Sequence, residues 1–133
     1  MKLEYKYVSV KDIQRVLFLA EIESRENLLE RIKSFSQDIA NRLNSKILFE
    51  KEYEFPSVQE KIKNYTYVAI LSSSHIVIST YISSKEKYID VDITWCSRIN
   101  LSREEFVNIF KKYFGKIKNE KFILIDGEFN IRQ

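Results

Sequence analysis

The residues best suited to chemistry in this 133-residue sequence lie in one stretch, LSSSHIVISTY, at positions 71–81. Ser72, Ser73 and Ser74 are consecutive, and they precede His75, the only histidine of the chain. A serine hydroxyl beside an imidazole is a nucleophile beside a base. Polar side chains between two apolar strands are costly unless they are bonded or used. The stretch is therefore a reaction centre, the remains of one, or a turn whose serines satisfy backbone groups.

Two further sets of side chains are candidates for proton transfer. Cys96, the only cysteine, is either a small buried side chain or a thiol activated by the nearby Arg98 or by the start of the following helix. Asp90 and Asp92 alternate with apolar residues and so share one face of a strand. Paired carboxylates of this kind either serve as acid and base or form the solvated face of the strand.

The composition excludes several classes of protein. Two glycines rule out a glycine-rich phosphate loop. One histidine and one cysteine argue against a zinc site, so we predict no metal. A net charge of +3, with lysines interleaved among glutamates, gives no basis for nucleic-acid binding. The chain has no signal-peptide core and no apolar run near the roughly 20 residues that cross a membrane. We therefore expect a cytoplasmic protein without a membrane partner, in a reducing compartment.

The patterning predicts the elements that position these residues. Period-two alternation and apolar runs predict strands at 15–22, 46–55, 65–72, 75–82, 88–96 and 121–125, with a short strand at 5–10. Helical spacing predicts a helix at 25–44 that is capped by Ser24. A capping box of Ser102 and Glu105 starts a second helix, and Gly115 ends it. We predict one domain over 1–133, an α+β two-layer sandwich with an antiparallel β-sheet packed against two helices.

The segment AILSSSHIVISTY, followed by YIDVDITWC at 88–96, resembles the core of the prokaryotic S-adenosylmethionine decarboxylases. That family carries Glu-Ser-His-x-x-x-His-Thr-x-Pro-Glu and then Tyr-x-x-Val-Asp-x-x-Thr-Cys-Gly. The order of strand, long helix, strand, core, helix and strand is also similar. The resemblance implies the fold of that family and a homodimer in which apolar and aromatic surfaces join two sandwiches.

The resemblance also implies a cofactor made from the chain itself. Members of the family cut the backbone before the signature serine, whose hydroxyl attacks the preceding carbonyl, and elimination leaves a pyruvoyl group. By position, Ser74 is the precursor of that group, and His75 follows it as in the family. Cys96 corresponds to the cysteine that returns a proton to the substrate, and Thr66 to a serine that assists processing. Phe55 is the candidate for a ring that stacks on the substrate base.

The sequence also departs from the family signature. Ser73 replaces the glutamate before the cut, and Ser79 replaces the second histidine, which the family uses in processing. Ser83 replaces the glutamate that is expected to hold the ribose hydroxyls, and a serine cannot accept two such bonds as an anion. Ile82 replaces the proline and Ser97 the last glycine of the signature. These changes remove a proton relay and a substrate anchor.

Two functions are consistent with this mixture, and a chance match by an unrelated α+β domain is the third alternative. In the first, the chain is an S-adenosylmethionine decarboxylase-like protein that neither cuts itself nor decarboxylates. It has no cofactor, and it keeps an S-adenosylmethionine-sized pocket or a regulatory role. In the second, it is an active pyruvoyl-dependent decarboxylase of polyamine biosynthesis, acting on S-adenosylmethionine or a basic amino acid. Thr66, His75 and Ser79 then substitute for the missing groups. The departures from the signature favour the first.

Overall fold

The computed structural model of the chain describes residues 10–56, 62–128 and 130–133. Within these ranges, the strands are β1 Ile13–Ile22, β2 Ile47–Pro56, β3 Lys63–Leu71, β4 Ser74–Ile82, β5 Lys87–Cys96, β6 Ile117–Asp126 and β7 Ile131–Arg132. The helices are α1 Leu28–Arg42, between β1 and β2, and α2 Arg103–Phe114, between β5 and β6. A 3₁₀ helix at Val10–Asp12 precedes β1.

The strands form one antiparallel sheet in the order β2-β3-β4-β5-β1-β6-β7. Its central strands alternate apolar and polar residues, and a period of two places each kind on its own face. In β5, Val91 and Ile93 are fully buried, whereas Asp92 points to the opposite side. The register keeps the faces aligned, because Val91 pairs with the buried Phe18 of β1 and the buried Ile78 of β4.

Both helices pack on the buried face of the sheet, and aromatic rings fill the space between them. The helix α1 buries Ile32, Phe35 and Ile39 at helical spacing, and α2 buries Phe106 and Phe110. The Phe35 ring lies edge-on to Phe106 and Phe110, with centroids 5.9 and 5.8 Å away. Such edge-to-face contacts add to the stabilisation that burial provides.

The predicted fold class is confirmed: the chain is α+β, with an antiparallel sheet and two helices. The strand predicted at 121–125 begins earlier, at Ile117, because β6 pairs with β1 along most of its length. The two-residue β7 has no predicted counterpart, since so short a strand shows no periodicity. Residues 5–9 of the predicted first strand lie outside the described residues.

The start of the first helix differs from the prediction, whereas the second helix agrees with it. The helix α1 begins at Leu28 with Asn27 at the N-cap, so Ser24 is not the cap. Asn27 has a left-handed φ of 51°, which asparagine tolerates better than most residues. In α2 the Ser102 hydroxyl accepts a first-turn amide at 3.1 Å. Gly115 ends that helix with a φ of 77°.

The face of the sheet turned away from the helices is called the open face. It carries the odd-numbered residues of β1 and β4, those of β6 from Asn119 onward, and the even-numbered residues of β5, in register. One row across it contains Thr66, Ser79 and Asp90, and another contains His75 and Arg15. Of the eight large apolar side chains found exposed among the described residues, seven are on this face: Ile13, Leu19, Phe49, Tyr53, Ile70, Tyr81 and Ile131.

Substitutions of Leu43 and Leu48 test the packing of the core, because the Leu43 side chain is 2% exposed and the Leu48 side chain is 65% exposed. We expect Leu43→Ala to lower the free energy of unfolding by roughly 2–5 kcal/mol, since it removes buried methyl groups and leaves a cavity. Leu48→Ala, the same change a short distance along the chain, should cost less than about 0.5 kcal/mol. Urea denaturation measures both, and equal losses would contradict the assigned packing.

Candidate active site

The serine stretch forms the turn of a hairpin between β3 and β4. Leu71 pairs with Ser74, so Ser72 and Ser73 are the two turn residues. A buried serine from the α1–β2 connection, Ser45, holds this turn. Its hydroxyl lies 3.0 Å from Ser72 Oγ, and it accepts the Ser73 amide at 3.2 Å and the Ser73 hydroxyl at 2.9 Å. The three hydroxyls satisfy one another and the backbone, which fixes the turn.

The backbone strain of this hairpin is found at Ser74. Two-residue hairpins favour positive φ angles within the turn, usually at glycine or asparagine. Here Ser72 and Ser73 have no positive φ, whereas Ser74 has a φ of 155°. Residues other than glycine seldom adopt such a conformation, at a cost of order 1–3 kcal/mol. The strain therefore lies next to the peptide bond between Ser73 and Ser74.

The carbonyl group of that peptide bond accepts a hydrogen bond from β5. The Cys96 amide donates to Ser73 O at 3.0 Å. A donor at this position polarises the carbonyl and stabilises negative charge that develops on its oxygen. The same bond holds the half-buried Cys96 beside the turn, so the structure brings Cys96 and Ser74 to one end of the sheet.

The imidazole of His75 lies between Ser74 and a charged pair. Ser74 Oγ is 3.3 Å from His75 Nδ1, and His75 Nε2 is 4.0 Å from Asp92 Oδ1. Arg15 donates two hydrogen bonds to Asp92, at 3.2 Å from Nε and 2.6 Å from Nη2. These bonds raise the pKa of the Arg15 guanidinium. Hydroxyl, imidazole and carboxylate thus follow one another, in the order of a nucleophile, its base and an orienting acid.

Thr66 and Ser79 form a second group in the middle of the open face. They are cross-strand neighbours, and their hydroxyl oxygens are 3.4 Å apart. Ser79 lies five residues after Ser74 on the same strand, which is about 16 Å at the usual rise of ~3.3 Å per residue. The structure therefore brings Thr66 and Ser79 to each other but not to Ser74 of the same chain.

Phe55 and Ser83, which the resemblance assigns to the substrate, lie at the far end of the sheet from the hairpin. The Phe55 ring stacks on Tyr53, with centroids 6.1 Å apart and planes at 21°. The Ser83 hydroxyl accepts the amides of Lys85 and Glu86 at 3.2 and 3.0 Å, in the turn after β4. Because Ser83 stabilises a turn and carries no charge, it does not replace an anion that would hold ribose hydroxyls.

Two residues of this arrangement were not expected from the sequence. Arg15 lies far from Asp92 in the chain, and only the pairing of β1 with β5 shows that they meet. Ser45 follows a helix and gives no local sign of a partner in the β3–β4 hairpin. Neither position has a pattern that could have identified it before the strand register was known.

The model of the S-adenosylmethionine decarboxylase family matches residues 22–123. The chain belongs to this family. The matched range contains β4, β5 and both helices, and the resemblance inferred from the sequence is confirmed. The adenosylmethionine decarboxylase from Aquifex aeolicus VF5 has a similar fold, with a TM-score of 0.59 and 15% identity over 87% of this chain and 90% of that one. Comparison with curated proteins gives no match.

S-adenosylmethionine decarboxylases depend on a pyruvoyl group. The residues of this member fit the formation of one at Ser74, because the hydroxyl, the strained backbone and the polarised Ser73 carbonyl are adjacent. In the described part of the chain, no group of three or more His, Cys, Asp or Glu side chains could hold a metal ion. No helix described there is long and apolar enough to cross a membrane.

A shallow cavity of about 410 Å³, widely open to solvent, lies between the middle and the far end of the open face. It is lined by Leu19, Tyr81, Tyr88 and Asp90. Apolar walls with one charged group are typical of a small-molecule site. Burial raises the pKa of the Asp90 carboxyl, and the charge of Asp92 raises it further.

The raised pKa of Asp90 predicts how its replacement changes stability with pH. The folded chain binds this proton more tightly than the unfolded chain does, so stability falls as pH rises from the ordinary value of 3.8 through the raised pKa. We expect Asp90→Asn to increase the free energy of unfolding at pH 7, and this gain to shrink below about pH 4.

Asp126→Asn is the control, because the change in stability expected at pH 7 is opposite to that of Asp90→Asn. Hydrogen bonds from the Asn130 and Glu128 amides lower the pKa of Asp126. Asp126→Asn should therefore lose stability at pH 7, and the loss should shrink as pH falls through the lowered pKa. Urea denaturation at pH 7 and pH 3 measures both variants. A loss of stability in Asp90→Asn at pH 7 would contradict the assigned environment.

Proposed function

We propose that this chain is a self-processing, pyruvoyl-dependent decarboxylase. The observation that carries the proposal is the geometry at the Ser73–Ser74 bond. A hydroxyl 3.3 Å from an imidazole, a φ of 155° and a hydrogen-bonded carbonyl coincide there. The sequence indicated the nucleophile and the neighbouring imidazole. The strain, the carbonyl donor and the short distance between hydroxyl and imidazole support the second of the two functions that the sequence left open.

Processing begins when the Ser74 hydroxyl passes its proton to His75 Nδ1. The oxygen attacks the carbonyl carbon of Ser73, and the Cys96 amide stabilises the oxyanion. Collapse breaks the C–N bond between Ser73 and Ser74, the nitrogen takes the proton, and an ester joins the two segments. The bond that breaks is one of the three bonds that define the φ angle of Ser74, so the strain of order 1–3 kcal/mol is released at this step.

Elimination of the ester removes the Cα proton of residue 74 and frees the Ser73 carboxylate. Addition of water and loss of ammonia then leave the pyruvoyl group at the new N-terminus. That group supplies the electron sink for decarboxylation. Cys96, which the hydrogen bond to Ser73 holds beside the cut, is the donor that returns a proton to the substrate.

We further propose a homodimer that joins two open faces. Exposed apolar side chains concentrate on this face, which is typical of an interaction surface. A twofold axis that runs across the strands, midway between Ser74 and Ser79, places the hairpin end of one copy over the middle of the open face of the other. His75 and Cys96 on the open face of one copy, with Ser74 beside His75 at the hairpin edge, then approach the Thr66 and Ser79 of the second. One chain alone keeps Ser74 and Ser79 about 16 Å apart.

The substrate we propose is S-adenosylmethionine or a basic amino acid, both of which carry the amine that pyruvoyl chemistry requires. The engaged hydroxyl of Ser83 weakens the case for a ribose. The Asp90 carboxylate in the cavity favours a basic side chain.

A second candidate function is an uncut, ligand-binding or regulatory protein of the same fold. The observation that favours it is the position of Ser79, where a hydroxyl bonded to Thr66 replaces an imidazole. Elimination from the ester then has no second base, and the Ser45 contacts would serve only to stabilise a turn.

Intact mass on freshly purified protein distinguishes the two functions. We expect two fragments, residues 1–73 and 74–133, with the second reacting with a carbonyl reagent. Ser74→Ala should stay uncut because it lacks the nucleophile, whereas Ser73→Ala should still cut because the attacked carbonyl is unchanged. One unmodified species of 15.9 kDa from the wild-type chain would favour the uncut function.

The proposed dimer is tested by placing a charge on the open face. We expect Ile70→Glu to convert the dimer to a monomer in sedimentation velocity, because a buried unpaired carboxylate is costly. Leu48→Glu is the control, since Leu48 is exposed beside Lys33 and Glu50 and away from the open face. Loss of the dimer in both variants, or in neither, would contradict this interface.

A further inference from the structure

The two ring nitrogens of His75 have different neighbours. Nδ1 is 3.3 Å from Ser74 Oγ, and Nε2 is 4.0 Å from Asp92 Oδ1. A neutral imidazole carries a proton on one nitrogen only, and the other nitrogen accepts. His75 can take the Ser74 proton through Nδ1 only if its own proton is on Nε2. The tautomer therefore decides whether this imidazole is a base toward Ser74.

The surroundings of His75 favour a proton on Nε2. The ionised Asp92 carboxylate only accepts, so the nitrogen facing it is best occupied by N–H. Arg15 holds the carboxylate through both oxygens, with the shorter bond of 2.6 Å to Oδ2 and the longer one of 3.2 Å to Oδ1. The more weakly bonded Oδ1 is the oxygen that faces His75. Such contacts are often long in a resting site and shorten during reaction.

The other side chains around His75 do not compete for this role. In β3, the apolar Ile70 lies opposite His75, and Thr94 lies opposite it in β5. Asp90 lies four positions before Thr94 in β5 and lines the cavity with Leu19. From β1, Arg15 is the charged group in the row of His75, and it is bonded to Asp92.

We propose that Asp92, oriented by Arg15, is a positioning residue that fixes His75 in the tautomer accepting the Ser74 proton. The family has a second histidine at the position of Ser79. Because Asp92 fixes the tautomer of His75, this one imidazole accepts the proton without that second histidine. The consequence for catalysis rests on the proposed self-processing. The tautomer itself does not, and it can be measured in an uncut chain.

The proton transfers balance within the site. The Ser74 proton moves to Nδ1, and the imidazolium keeps its Nε2 proton directed at Asp92, whose charge stabilises it. When the C–N bond between Ser73 and Ser74 breaks, Nδ1–H passes its proton to the nitrogen of residue 74. His75 returns to the neutral tautomer, ready for a further transfer.

Nitrogen NMR on the uncut Ser74→Ala chain tests the tautomer directly. The chain has one histidine, so its ring nitrogens are the only imidazole signals. At a pH where the ring is neutral, we expect the proton on Nε2. Adding Asp92→Asn presents an amide N–H to Nε2 and should move the proton to Nδ1. Glu21→Gln, on the same face and bonded to Asn119, is the control and should leave the tautomer unchanged.

The cleavage rate of chains that keep Ser74 tests the consequence. We expect Asp92→Asn to slow the appearance of the two fragments by about 100-fold or more, because general base catalysis is lost. Glu21→Gln should cut at the wild-type rate.

Each result is decisive for the assignment. A proton on Nδ1 in the Ser74→Ala chain, or no shift on Asp92→Asn, would overturn it. An Asp92→Asn chain that shifts the tautomer but cuts at full rate would also overturn it. If the wild-type chain stays uncut while the proton is on Nε2 and depends on Asp92, the proposed processing fails and the positioning role stands.

Discussion

The alternation of apolar and polar residues along β4, β5 and β1 is the constraint on which the rest of the structure depends. It gives the sheet one apolar face, which both helices cover through the aromatic contacts of Phe35. Most polar side chains of these strands therefore lie on the other face, whereas Thr80 and Gln14 are buried on the helix side. His75, Ser79 and Asp92 share the open face for this reason, and no element of the described residues covers that face.

Most of the fold could be predicted because its signals are local. The alternation in YIDVDITWC identifies β5, and the serine cap and glycine end of α2 are separated by only a few turns of helix. The predicted start of the first helix was wrong. The Ser24 hydroxyl accepts a hydrogen bond from the Glu26 amide, but the N-cap is Asn27 and the helix begins at Leu28. The contacts of the site depend instead on register between strands far apart in sequence, as for Arg15 and Asp92, and no local pattern encodes that register.

The family signature gives an incomplete view of the site. Residues that are close in the sequence lie far apart when the segment that contains them is an extended strand. Ser74 and Ser79 are close in the chain, yet an extended strand separates them by about 16 Å. Sequence reasoning treated them as parts of one proton relay. In one chain they belong to two groups, one with Cys96 and one with Thr66. The departure at Ser79 therefore concerns the group with Thr66, while the groups next to Ser74 remain together.

The structural and the chemical interpretations of the serine turn need not exclude each other. Ser45 and Lys46 bond Ser72 and Ser73 and hold both in ordinary φ regions, although a two-residue hairpin favours positive φ within the turn. The reversal of the chain is then completed at Ser74, which takes the φ of 155°. The hydroxyl contacts that make the turn stable thus transfer its strain to the residue beside the polarised carbonyl. A glycine within the turn would relieve that strain, and the proposed cleavage would then lose its contribution.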